Sequence, residues 1–201
     1  MQSFTLLQLT GNTDIYLLDQ IMKGRYSEKD LVLDAGCGLG RNLHWFCLNQ
    51  IDCFGIDMDA MAIEQVKLQY PNIPPDRLLI GPIENMPFEN CSFDHVISSA
   101  VLHFAESYLQ FDAMIHEMVR VLKPEGSLFI RMTSAIGIED SIVPMSDGVY
   151  FIPDGSTRFL LTRAIIQKLL NDHPIVLIEE VKTVNVNDTR CMTTLVFKKV
   201  N

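Results

Sequence analysis

Short apolar runs alternate along this chain with apolar positions set at helical spacing. Leu31-Val-Leu33, Cys53-Phe54, Leu78-Leu-Ile80, Asp94 to Ser99 and Ser127 to Met132 read as strands, rich in the branched and apolar residues that suit a sheet covered on both faces. Helical spacing fills the gaps. Ile15, Leu18 and Met22, with Leu17 and Ile21 beside them, predict a helix over Asn12 to Lys23, capped by Asn12 or Thr13. Further helices are predicted over Asn42 to Leu48, Ala60 to Tyr70, Tyr108 to Leu122 and from Leu161 or Thr162 to Asn171. Pro71, Pro74 and Pro75 stop the third of these, and Pro124 the fourth, after which Gly126 turns the chain into its next strand. Ile175 to Asn185 and Cys191 to Lys199 read as two strands joined by a hairpin turn at Asn187-Asp188. The alternation predicts an α/β fold, a doubly wound sheet of seven strands, mostly parallel. The last strand should run antiparallel, because its connection is too short for a helical crossover.

The chemistry concentrates in Leu31-Val-Leu-Asp-Ala-Gly-Cys-Gly-Leu-Gly-Arg-Asn42, where a buried strand runs into a glycine loop and then a helix. Glycines let a backbone turn tightly and approach a ligand closely. The helix behind them offers unpaired N–H groups and a positive dipole end. The loop therefore suits a nucleotide-like molecule. The dinucleotide fingerprint is G-x-G-x-x-G, but this chain reads G-x-G-x-G, with Arg41 where the third glycine of that fingerprint belongs. That speaks against a nicotinamide-dependent oxidoreductase. Asp57, at the end of the second strand and 21 residues beyond Gly36, is placed to accept from ribose hydroxyls. Asp59 suits the cap of the following helix.

Four blocks give this chain its resemblance to class I S-adenosylmethionine-dependent methyltransferases, in the broad group acting on small molecules. They are Leu31–Asn42, Gly55–Asp59, Gly81–Phe104 and Arg120–Arg131, together about residues 31–132. The flanks, Asn12 to Tyr26 and Arg190 to Lys198, are similar to those of small bacterial members. The resemblance implies a Rossmann-like fold and one methyltransferase domain over residues 1–201. Within it, residues 1–26 would form an N-terminal helical cap and residues 133–163 a loop-rich lid over the acceptor.

It also implies roles. Gly36, Gly38 and Gly40 would cradle the methionine part of S-adenosylmethionine, with Asp34 orienting its ammonium. Asp57 would hold the ribose and Met58 the adenine face. Ile83 and Glu84 match the block that brackets adenine, although Pro82 stands where many relatives carry aspartate, and Glu84 equally suits a turn cap. Ser98 and Ser99 would lie beneath the sulfonium, or bond within their own turn. His103 is the candidate catalytic base, or a wall of the pocket. Arg131 is placed to bind an anionic acceptor, or to pair with a neighbouring acid. Tyr150 would contribute to substrate binding from the lid.

Composition narrows the partners. The 201 residues carry 25 acidic against 16 basic side chains, a net charge of −9. Phosphate contacts supply much of the affinity for nucleic acid, so this balance argues against DNA or RNA as partner, short of a local basic patch, and the resemblance implies a small-molecule methyl acceptor. No apolar run reaches membrane-spanning length, and the N-terminus lacks a basic leader with an apolar core, so neither membrane nor export is expected. Five cysteines, an odd number without a C-x-x-C pair, point to the reducing cytoplasm, and no metal site is expected. An alternative of another class is a binding module that keeps the cofactor blocks without turnover.

Overall fold

The computed structural model describes residues 5–201; the first four residues of the expected N-terminal cap, and most of the stretch read for a leader, lie outside the described residues. Two helices open the chain, α1 (Leu6–Thr10) and α2 (Ile15–Met22). Then follow β1 (Leu31–Ala35), α3 (His44–Leu48), β2 (Asp52–Asp57), α4 (Ala60–Gln69), β3 (Leu78–Ile80), β4 (Phe93–Ser99), α5 (Tyr108–Val121) and β5 (Leu122–Ser134). The second half holds β6 (Val143–Ser146), β7 (Val149–Phe151), β8 (Thr157–Phe159), α6 (Arg163–Asp172), β9 (Ile175–Leu177), β10 (Lys182–Val186) and β11 (Arg190–Lys199).

The main sheet runs β10-β11-β5-β4-β1-β2-β3, with β9 added beside β11. Strands β1 to β5 pair parallel, and β11 lies antiparallel to β5, as its short connection requires. Side chains alternate faces along each strand. Leu33, Val96, Leu128, Ile130, Leu195 and Phe197 point into one core. Their neighbours Val32, Ile97, Phe129 and Val196 point into the other. The first core is closed by Phe111, Met114, Ile115 and Met118 of α5, at the spacing that gives a helix one apolar face. The second is closed by Leu17 of α2, Phe46 of α3 and Ile63 and Val66 of α4. Winding reverses between β1 and β4, and the carboxyl ends of those two strands define the crevice where open α/β sheets take ligands.

Several expectations are corrected. The cap of α2 is Asp14, whose carboxylate accepts from the Tyr16 N–H at 2.9 Å, rather than Asn12 or Thr13. Helix α3 starts at His44 without a side-chain cap, and the Asn42 side chain ahead of it accepts from the Asp14 N–H. Strand β5 begins at Leu122, directly after α5, so Gly126 lies within a strand. A Cβ there would sit 2.7 Å from the Asp94 carbonyl, and close approach is what demands glycine. The stretch 175–185 is two strands. Between them the chain leaves the ladder and brings the Glu179 carboxylate onto Lys23, Arg25 and Lys182. Against the cost of its burial, Lys23, Lys182 and the Gln20 side chain hold Glu179 down at about 2. The stretch 133–163 is more ordered than a loop-rich lid, since it holds a three-stranded antiparallel sheet, β6-β7-β8. Its Phe159 stacks on Phe111 of the main core with ring centroids 4.7 Å apart.

Two local expectations, the Asp59 cap and the 187–188 turn, hold. Asp59 caps α4 by accepting from the Met61 and Ala62 N–H groups. The Asn187-Asp188 turn has both residues left-handed (φ 51° and 55°), and with Thr189 it joins the paired Val186 and Arg190 in a hairpin. No helix among the described residues is long and apolar enough to cross a membrane.

Candidate functional site

Two elements build the floor. Strand β1 delivers Asp34 and then the loop Gly36–Gly40, while β2 delivers Asp57 opposite. The Asp57 carboxylate accepts from the Gly38 N–H at 2.7 Å and from the Asp59 N–H at 2.9 Å. It thereby ties the loop to the neighbouring strand, and each oxygen keeps a further lone pair. Gly36 and Gly38 are both left-handed, at φ 83° and 50°. A Cβ on Gly36 would meet Val101 at 2.4 Å, whereas one on Gly38 would meet nothing within 4 Å. Gly36 thus packs inward and Gly38 presents bare backbone to open space.

Asp34 is the anomaly. It is buried, and neither carboxylate oxygen has a hydrogen-bond partner among the described residues. Burial pushes it up to about 7, against the pull of the Arg41 guanidinium, and the Asp57 charge adds to the rise. A buried carboxylate without a partner is costly, so this one awaits a donor or a cation that the chain does not supply. Ser98, at the end of β4, carries a second buried oxygen without a partner.

Ser99 belongs instead to a network that fastens the start of α2 onto the loop. Its hydroxyl donates to Asp14 at 3.0 Å and accepts from the Arg41 guanidinium at 3.1 Å. Arg131 donates to the same Asp14 oxygen at 3.1 Å and lies over the Tyr16 ring. Thr13 donates to the Arg41 carbonyl. Of the two readings of Arg131, the geometry matches the ion pair with a neighbouring acid. Asp14 was missed as a site residue: its sequence signal is only that of a helix cap, and the partners Arg41 and Arg131 lie far away in the chain.

The remaining candidates are dispersed around this floor. Met58 is 77% exposed at the carboxyl end of β2. Ile83 is buried in the main core, and Glu84 beside it accepts from the Gln110 side chain of α5 at 3.0 Å. His103 is buried in the turn after β4, where its Nδ1 accepts from the Thr133 N–H at 3.4 Å. The neutral ring then carries its proton on Nε2. Burial, helped by Arg158 and Arg190, drives His103 down to about 4. Tyr150 lies on β7 and packs with Ala135, Ile152 and Leu160, apart from the loop. Its cross-strand partner Arg158 reaches back, with its guanidinium over the Phe104 ring. Arg158 was therefore also missed. Cys37, between the glycines, is held above the usual thiol range by burial. A cleft of about 690 Å³ lies between α3 and α4 at the amino end of β2, away from the orphaned Asp34 that marks this site.

Comparison with known proteins agrees with the geometry. Residues 33–130 match the family described as methyltransferase domain. A protein of Encephalitozoon cuniculi that carries the name methyltransferase is 35% identical over 106 residues, 52% of this chain and 46% of that relative. A tRNA (carboxymethyluridine(34)-5-O)-methyltransferase of Arabidopsis thaliana is 33% identical over 105 residues, 52% of this chain and 24% of that relative. The chain thus spans less than half the length of either. Among solved structures, a SAM-dependent methyltransferase of Methanosarcina mazei superposes with a TM-score of 0.72 at 20% identity, over 90% of this chain and 97% of that one. At that identity the likeness is one of fold.

Proposed function

We propose that this chain, which matches the family described as methyltransferase domain over residues 33–130, is a class I S-adenosylmethionine-dependent methyltransferase that transfers a methyl group from S-adenosylmethionine to a small-molecule acceptor. When bound, the cofactor supplies a methyl on a positive sulfur, already activated for in-line displacement. The chain's own part is to hold and orient. One observation carries the reading: the buried Asp34 carboxylate lacks a partner beside an open glycine loop. It fits the ammonium of the cofactor's amino-acid end. Gly38 would admit that end without side-chain obstruction, while Gly36 and Gly40 let the loop pack on Val101 and on Tyr70 and Val66 behind it. Asp57 would accept from the ribose hydroxyls with the lone pairs its two backbone partners leave free. Met58, Ile83 and Glu84 would bracket adenine, and Ser98 would close the floor, with Ser99 holding Asp14 and Arg41 beside it.

His103 forms a wall rather than a base in this reading. Its pKa near 4 and its Nδ1 already accepting from the backbone leave no free basic nitrogen at neutral pH. Arg131 holds Asp14, so an acidic acceptor would meet Arg158 instead. In this reading the three-stranded sheet covers the acceptor, supported by the Arg158 guanidinium over the Phe104 ring next to His103. The net charge of −9 supports a small acceptor. A tRNA acceptor is the second reading, favoured by the Arabidopsis relative.

Titration with S-adenosylhomocysteine and with NAD tests the cofactor. The former should stabilise the protein, by about 2.7 kcal/mol at a hundred times its dissociation constant, and Asp57→Ala should weaken it about tenfold or more. Stabilisation by NAD alone would overturn the proposal, and binding without turnover on any acceptor would leave a binding module.

A further inference from the structure

Cys47, at the end of α3, and Cys53, in β2, bring their sulfur atoms to 3.8 Å. No other two thiols are in contact among the described residues. Cys37 and Cys191 are buried apart, and the exposed Cys91 faces the Lys199 ammonium. Both members of the pair line the cleft of about 690 Å³ between α3 and α4, with Tyr70 and Arg77 on its far side. Cys47 is half-buried toward the cleft, and Cys53 is buried behind it. Nothing in the proposed methyl transfer uses either residue.

We propose that Cys47 and Cys53 are a dithiol that a hydroperoxide entering this cleft oxidises to a reversible disulfide. Cys47 attacks first. The Cys53 S–H donates to its sulfur and holds it below the usual thiol range, while the same bond and burial push Cys53 up. A thiolate is the nucleophile in such chemistry. The Cys47 sulfur attacks the terminal peroxide oxygen; the O–O bond breaks, an S–O bond forms, and the departing oxygen leaves as water or an alcohol. The Cys53 sulfur then attacks the Cys47 sulfenic acid. The S–S bond forms, the S–O bond breaks, and hydroxide leaves with the Cys53 proton as water. Two thiols lose two electrons and two protons, and the peroxide gains them. The sulfurs must close from 3.8 Å by about 1.8 Å to reach disulfide length. The cross-link joins the helix behind the glycine loop to the strand that ends in Asp57.

Trypsin leaves both cysteines in one peptide, Asn42–Lys67. The full-length reduced protein is treated with hydrogen peroxide, alkylated and digested. The expected product is this peptide lighter by two hydrogens and unalkylated, restored by dithiothreitol. In Cys53→Ser, a sulfenic acid at Cys47 should become trappable by dimedone. In Cys47→Ser, oxidation at Cys53 should slow about tenfold. The inference is overturned if both thiols stay alkylatable under peroxide that oxidises Cys91, or if Cys47 advances to sulfinic acid without the disulfide. The wild-type arm needs no variant to fold.

Discussion

Asp34 decides most at the scale of single residues. Its folded pKa of about 7 lies above the unfolded carboxylate value near 4. The stability it contributes is therefore complete below the unfolded value and is lost as pH rises through the folded one, between about 4 and 7. Asp34→Asn removes that loss. The ligand-free variant should be more stable than the parent at pH 8 by about 2 kcal/mol, less than the full shift implies because the amide also lacks a partner. It should bind S-adenosylhomocysteine at least about tenfold more weakly. Thermal melts and titration calorimetry check both, and a variant less stable at pH 8 would sink the account. His103 carries the opposite sign. Its folded pKa, about 4, lies below its reference value, so its contribution is present above about 6.5 and lost on acidification toward 4.

The strands and loops around β1 to β5 follow from pattern because their cues are local. Glycine spacing, the Asp59 cap and the Asn187-Asp188 turn each require one backbone conformation at one place. The sheet β6-β7-β8 has no such signal. Val143 to Ser146 is exposed throughout, so no alternation of buried and exposed positions announces a strand. It is held by Gly148 packing on Phe159 across the sheet and by Leu161 bonding to the Thr133 carbonyl, a contact that exists only after β5 is in place. As a cover, this sheet should govern the acceptor and spare the cofactor. Replacing Tyr150 and Arg158 together by alanine should raise the acceptor KM about tenfold or more and leave S-adenosylhomocysteine affinity within about twofold. Equal loss of both would show that it belongs to the cofactor site.

For the whole molecule, the charge of −9 and the relatives point in different directions. Counterion release gives nucleic-acid enzymes a steep salt dependence, and a small acceptor demands none. Incubation with labelled S-adenosylmethionine should place methyl groups in a small-molecule extract rather than in bulk tRNA. Between about 50 and 200 mM salt the rate should change less than about threefold. Label appearing in tRNA, with a steep fall in salt, would favour the second reading.

From its sequence alone, this chain determined its doubly wound sheet, its reversed last strand and the glycine loop that follows β1. Those depend on periodicity, chain direction and glycine at fixed spacing, all short-range properties. Only the tertiary structure decided that Asp34 is left without a partner, that Asp14 draws in Arg41 and Arg131, and that Cys47 meets Cys53. Each depends on which groups come to share one small volume. Burial then sets the energetic cost of a charge there, and neither spacing nor composition encodes that volume.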